Sequence, residues 1–166
     1  MSESQMNFQV GDPVTHWAYG LGKIIRLDEK WVDGHIDKYY VVQIKDLTLW
    51  VKFNEADKHG LRSPTPAKDF KKIIPILSDS AEPLSDNRFT RKTQLSELMK
   101  ARTLESICRL IRDLVHYKRE HKINEDDNST LRYARDFLLN EWSVSLSVPI
   151  QQAERDLKKL LTVDVV

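Results

Sequence analysis

Between Pro64 and Pro66 the spacing of apolar residues along this chain changes from every second position to every third or fourth. A period of two places alternate side chains on opposite faces of a strand, whereas a period near 3.6 places them on one face of a helix. A chain that carries both, one after the other, has to fold as a β module followed by a helical module. At 166 residues it is long enough to give each half a core of its own.

Before the prolines, the runs "PVTHW", "GKIIRLDEKWV", "KYYVVQIKD" and "LTLWVKF" are rich in β-branched and aromatic residues and are separated by turn signals. Asp33-Gly34 marks a hairpin, because a tight turn of the right hand needs positive φ and Gly supplies it at little cost. Alternation sets Ile25, Leu27 and Trp31 on one face of the second run, with Arg26, Asp28 and Lys30 on the other. In the fourth run Leu47, Leu49, Val51 and Phe53 face one way, and Thr48, Trp50 and Lys52 the other. Four or five such strands in about 60 residues suit a small antiparallel β-barrel of the SH3 or Tudor type. The expected fold class is therefore α+β, with that barrel followed by a compact all-helical domain.

After "SPTPAKD", Lys68–Ile74 reads as a short helix that Pro75 interrupts, and "SDSAEPLSDN" as a linker. Leu95, Leu98 and Met99 mark one helical face. Leu104, Ile107, Cys108, Ile111, Leu114 and Val115 follow the i, i+3, i+4, i+7 pattern. Asn124, followed by Glu125, Asp126 and Asp127, is a capped helix start with acids facing the dipole. That helix should turn Leu131, Ala134, Leu138 and Trp142 inward, and a last helix Ile150, Ala153, Leu157, Leu160 and Leu161. The expected domains are 1–66 (β module), 67–83 (short helix and linker) and 84–166 (helical module).

Several chemistries are unsupported. Gly20-Leu21-Gly22 lacks the third glycine and the following helix of a nucleotide loop, and no Walker pattern occurs. His116 and His121 are five apart and do not share a helix face as zinc ligands at i, i+4 would. Cys108, the sole cysteine, lies in an apolar stripe, so no disulfide, metal or cofactor is implied. No catalytic constellation stands out, and an enzyme is not expected. No apolar run approaches the ~20 residues that span a bilayer, and the start "MSESQMNFQV" has no signal-peptide character. The expected location is cytoplasmic.

Charge is unevenly spread. Residues 84–122 hold 10 Lys and Arg against 5 Asp and Glu, although the whole chain carries only +1. Arg109, Arg112, His116 and Arg119 form a stripe on one predicted helix, with Arg88, Arg91, Lys92 and Arg102 elsewhere in the segment. Such a stripe is either a phosphate-contacting surface or a solvated face. The aromatics Trp17, Tyr19, Trp31, Tyr39, Tyr40, Trp50 and Phe53 are either barrel core or a cage for a methylated cation. Trp50, between Thr48 and Lys52, points outward and is either an interface anchor or a contact between the barrel and the helices.

"FQVGDPVTHWAYGLGKIIRLDEK", "GHIDKYYVVQI" and "LTLWVKFNEADKHGLR", continued by "LESICRLIRDL" and "STLRYARDFLLNEWSVSLS", closely resemble the CarD-like bacterial transcription regulators (the CarD/CdnL/TRCF family) over residues 8–162. The resemblance implies a Tudor-like module that binds the β subunit of bacterial RNA polymerase through a strand edge. It also implies a helical module that meets promoter DNA at the upstream fork and stabilises the open complex. Lys30 matches a basic residue of the family's docking face, and Trp50 stands where the family has another cation; Tyr40 and Lys52 complete the expected polymerase-binding set. The expected DNA-binding set is Arg88, Phe89, Arg91, Lys92, Arg109 and Arg112. The family's wedge Trp falls at Asn87 or Arg88, and Phe89 is the nearest aromatic residue. A monomer that binds DNA weakly by itself, and reaches the nucleoid through polymerase, is the expected state. The alternative reading is a Tudor-like peptide-recognition adaptor with a cage of Trp17, Tyr19 and Trp50 and a structural helical domain.

Overall fold

The computed structural model describes residues 7–162. It divides into two compact units, 1–64 and 65–166. Among the described residues of the first unit, five strands form one antiparallel sheet: β1 (Pro13–His16), β2 (Gly20–Val32), β3 (His35–Ile44), β4 (Leu47–Lys52) and β5 (Leu61–Arg62). Their order is β4-β3-β2-β1-β5. The sheet is open, with β4 and β5 at its edges, so the α+β class is as expected while the barrel is not closed.

The hairpin signal is realised as read: Asp33 and Gly34 both take positive φ, 49° and 83°, in the turn between β2 and β3. Gly22 has a different role. A Cβ there would lie 2.4 Å from Ile44 Cγ1 and 2.6 Å from the Gln43 carbonyl oxygen, so only glycine lets β2 pass so close to β3.

The β core contains Phe8, Val14, Ile24, Tyr40, Val42, Ile44, Val51, Ala56 and Leu61. Alternation across β2 did not foresee this. The β2–β3 register slips between Ile24 and Arg26, which is a β-bulge. Ile24 is fully buried, while Ile25, Leu27 and Trp31 are exposed. The extra residue breaks the parity on which the face assignment rested. Beyond it, Arg26, Asp28 and Lys30 lie opposite Val41, Tyr39 and Asp37.

The second unit contains α1 (Ala67–Ile73), α2 (Arg88–Lys100), α3 (Leu104–Glu120), α4 (Glu125–Ser145) and α5 (Ile150–Leu161). Pro75 does not end the first of these abruptly. It sits at the start of a 3₁₀ turn over Ile74–Ser78, where its missing N–H is not needed. Phe70 of α1 and Leu77 of that turn enter the helical core, so much of the 67–83 segment is packed structure. α3 is central: Leu104, Ile107, Cys108, Leu110, Ile111 and Leu114 are all buried in it. Asn124 caps α4 in a reciprocal capping box with Asp127. Thr65 opens the unit by donating its backbone N–H to the buried Glu141 carboxylate at 2.9 Å.

Candidate functional site

In the first unit, the outward sheet face is organised around Trp50. Cross-strand register aligns Arg26, Val41 and Trp50 in one row across β2, β3 and β4. Val41 is fully buried although it points away from the core cluster, because its row neighbours are large. Lys30 Nζ lies 3.8 Å from the centroid of the Trp50 ring, and the Arg26 guanidinium 5.2 Å from it. Tyr39 meets the indole edge-on at 6.0 Å. Lys52 Nζ is 3.5 Å from Asp37, whose carboxylate is the main reason the Lys52 pKa is raised above the ordinary lysine value. The result is a half-exposed aromatic platform carrying two cations, a surface able to meet both apolar and acidic groups.

Three of the four expected polymerase-binding residues, Lys30, Trp50 and Lys52, share this face. Tyr40 does not. It is only 1% exposed, stacks on Phe53 at 4.1 Å, and its hydroxyl accepts from the Phe8 backbone N–H at 3.4 Å. Its neighbour Tyr39 takes the outward position. Arg26 was missed; its one available signal was the shared parity with Lys30, which the bulge leaves intact from Arg26 onward.

β4 is also an edge strand six residues long, and its outer side has no strand partner among the described residues. An edge of this kind can take another strand by main-chain hydrogen bonding. The proposed aromatic cage, by contrast, does not assemble. Trp17 packs against Gly60, next to the β1–β5 pair, and Tyr19 against His16 of β1. Trp50 lies on β4, with β3 and β2 between it and β1.

In the second unit, Asn87 caps α2 by accepting from the backbone N–H groups of Phe89 and Thr90, both at 3.0 Å. This fixes the first turn of α2 and leaves Phe89 67% exposed, with the Arg88 guanidinium 4.8 Å from its ring centroid. Arg88, Phe89 and Lys92 line one cleft, whose far wall is Asn124–Asp127 at the start of α4. Arg109 is exposed on α3 and does not line that cleft.

Arg91 and Arg112 stand apart from the exposed members of the expected DNA-binding set. Each is buried and held by a carboxylate. Arg91 bonds Asp127 through Nε at 3.0 Å and Nη2 at 2.9 Å, and its Nη1 donates to the Ser85 carbonyl and the Tyr117 hydroxyl. Burial raises the Tyr117 pKa against the opposing effect of Arg91. Arg112 Nε donates to Asp113 Oδ1 at 2.9 Å.

Comparison with known proteins fits this two-unit layout. Residues 8–63 match the family described as "CarD-like/TRCF RID domain", and residues 72–158 match "CarD, C-terminal domain". The chain belongs to the CarD-like family. The match to the C-terminal domain covers more than half of the chain, from the last residues of α1 through α2, α3 and α4 to most of α5. A Bacillus subtilis (strain 168) protein named "Putative transcription factor YdeB" is 24% identical over 150 residues, which is 87% of this chain and 96% of that protein. Membership connects this CarD-like protein with transcription regulation through interaction with RNA polymerase. Among the described residues no helix is long and apolar enough to cross a membrane.

Proposed function

We propose that this CarD-like protein is a non-enzymatic accessory factor that docks the β subunit of bacterial RNA polymerase with its first unit. Its second unit then meets promoter DNA at the upstream fork and stabilises the open complex. The protein acts as a cytoplasmic monomer, associated with the nucleoid through polymerase. The observation that carries this reading is the Arg26–Lys30–Trp50 stack beside the open edge of β4. Main-chain pairing along β4 would supply affinity, and the stack would supply specificity toward an acidic or apolar neighbour. Phe89 supports the DNA half of the reading. It is a large exposed apolar side chain at a helix start, flanked by Arg88 and Lys92, and can wedge at a distorted base step while the cations hold phosphates. Docking raises the local DNA concentration toward the mM range, so weak DNA contact is enough.

The test is calorimetry of the full-length protein against the N-terminal lobes of a bacterial β subunit, with Trp50→Ala alongside. Binding that Trp50→Ala weakens by about 2 kcal/mol, roughly thirtyfold, is the expected result. No binding by the folded protein would overturn the proposal.

A further inference from the structure

A second cleft of the helical unit, about 240 Å³ in volume, is lined by Leu77, Ser78, Asp79, Arg112, His116 and Arg119, among others. Arg112, His116 and Arg119 are spaced i, i+4, i+7 and so present their side chains along one face of α3. We propose that this cleft binds a phosphate group.

Arg112 lines the cleft together with the 77–81 segment and further residues of α3. Its side chain is 91% buried, and its hydrogen bonding within the described protein is confined to Nε, which donates to Asp113. The terminal nitrogens, four N–H donors in a planar fork, have no such partner, and the residue borders the cleft. Because the buried stem fixes the fork while the cleft leaves its nitrogens open to solvent, an acceptor inside the cleft can displace that water and take their N–H groups. A tetrahedral oxyanion, which can accept two parallel N–H bonds, is that acceptor.

The surroundings keep the fork in place. Asp113 Oδ1 also accepts the Glu82 backbone N–H at 3.0 Å, which ties Arg112 and the 79–82 segment to one carboxylate. Ser78 Oγ donates to the Leu160 carbonyl at 3.1 Å, joining the 3₁₀ turn to the end of α5. Arg119 is exposed and donates to the Leu161 carbonyl, so its guanidinium stands at the cleft wall. His116 adds an imidazole N–H. Asp79 is the single carboxylate among the lining residues, set against two guanidinium groups. The volume far exceeds the space of one water and admits an inorganic phosphate or diphosphate. A phosphate can be brought by a free small anion or by a nucleic-acid backbone. The proposal is independent of polymerase docking, since it uses none of the residues assigned to that role.

The test titrates the full-length protein with sodium diphosphate and, separately, inorganic phosphate by calorimetry at low salt and neutral pH. Arg112→Gln would strand Asp113 and unsettle the fold, so the variants are the exposed Arg119→Gln, His116→Gln and Asp79→Asn. The expected result is saturable one-to-one binding with Kd below about 1 mM, weakened about fivefold or more by Arg119→Gln and by His116→Gln and tightened by Asp79→Asn. Competition with a short DNA duplex identifies the source. Displacement, with Arg119→Gln weakening both ligands alike, means a nucleic-acid phosphate; retention of diphosphate means a small-anion site. No saturable heat up to about 10 mM, or binding that all three variants leave unchanged, overturns the proposal. Because polymerase is absent from the assay, that outcome leaves the docking proposal standing.

Discussion

Lys30 Nζ sits 3.8 Å from the centre of the Trp50 ring, joining β2 to β4 across the intervening β3. An aromatic residue at this edge thus holds positive charge over its face. Arg26, 5.2 Å from the same ring, adds a second cation. If this stack works as one unit in docking, Lys30→Ala and Trp50→Ala will not be additive in affinity for the β subunit. A double-mutant cycle should return a coupling of about 0.5–2 kcal/mol.

Phe89 gives a cleaner separation of function from stability. Its side chain is exposed, so Phe89→Ala should change unfolding free energy by no more than about 0.5 kcal/mol. Open-complex lifetime on a promoter should shorten in the presence of this variant relative to the unaltered protein. Phe89→Trp should restore or extend it, because the larger ring covers more of an unstacked base step.

Arg91 and Arg88 lie three positions apart on α2 and should behave oppositely. Arg91→Ala leaves the Asp127 carboxylate buried without its cation, at a cost of about 3–5 kcal/mol in denaturant unfolding. Arg88→Ala should leave stability within about 0.5 kcal/mol and lower only DNA retention by the polymerase complex.

Burial pushes the Cys108 thiol up to about 12, from an ordinary value near 9.0. The native protein should resist thiol reagents at pH 8 and react only on unfolding. The sign for stability follows from proton counting. Below pH 9 both states keep the proton and Cys108 contributes no slope. Between the two values the unfolded chain releases it while the folded chain does not, so stability falls as pH rises. Cys108→Ala should remove that component of the alkaline slope, measured by urea midpoints across the range.

Much of this fold was legible because it depends on local chemistry. Asp33-Gly34, the Asn124 cap and the α3 stripe each carry their own structural instruction within a few residues. What was not legible depended on distance or on parity. Nothing in "GKIIRLDEKWV" marks Ile25 as an inserted residue, so a strict alternation put Ile25 rather than Ile24 on the face shared with Leu27. Tyr39 and Tyr40 are adjacent and chemically alike; only the β3 register decides which one is buried. Arg91 looked like one more cation in a basic segment because its partner, Asp127, is 36 positions away and was read only as a helix-start acid. Arg112 has its partner next door, but the sequence does not say that both are buried.

The open edge of β4 has a further consequence, for the protein in isolation. A six-residue strand reading "LTLWVK", with unpaired main-chain groups along one side, is a template for any extended chain, including another copy of itself. Lys45 and Asp46 precede it and Lys52 closes it, so charges guard both ends of an otherwise uncharged stretch. A substitution that neutralises Lys45, which is outside the docking set, would promote self-association of unoccupied molecules while leaving the docking residues in place.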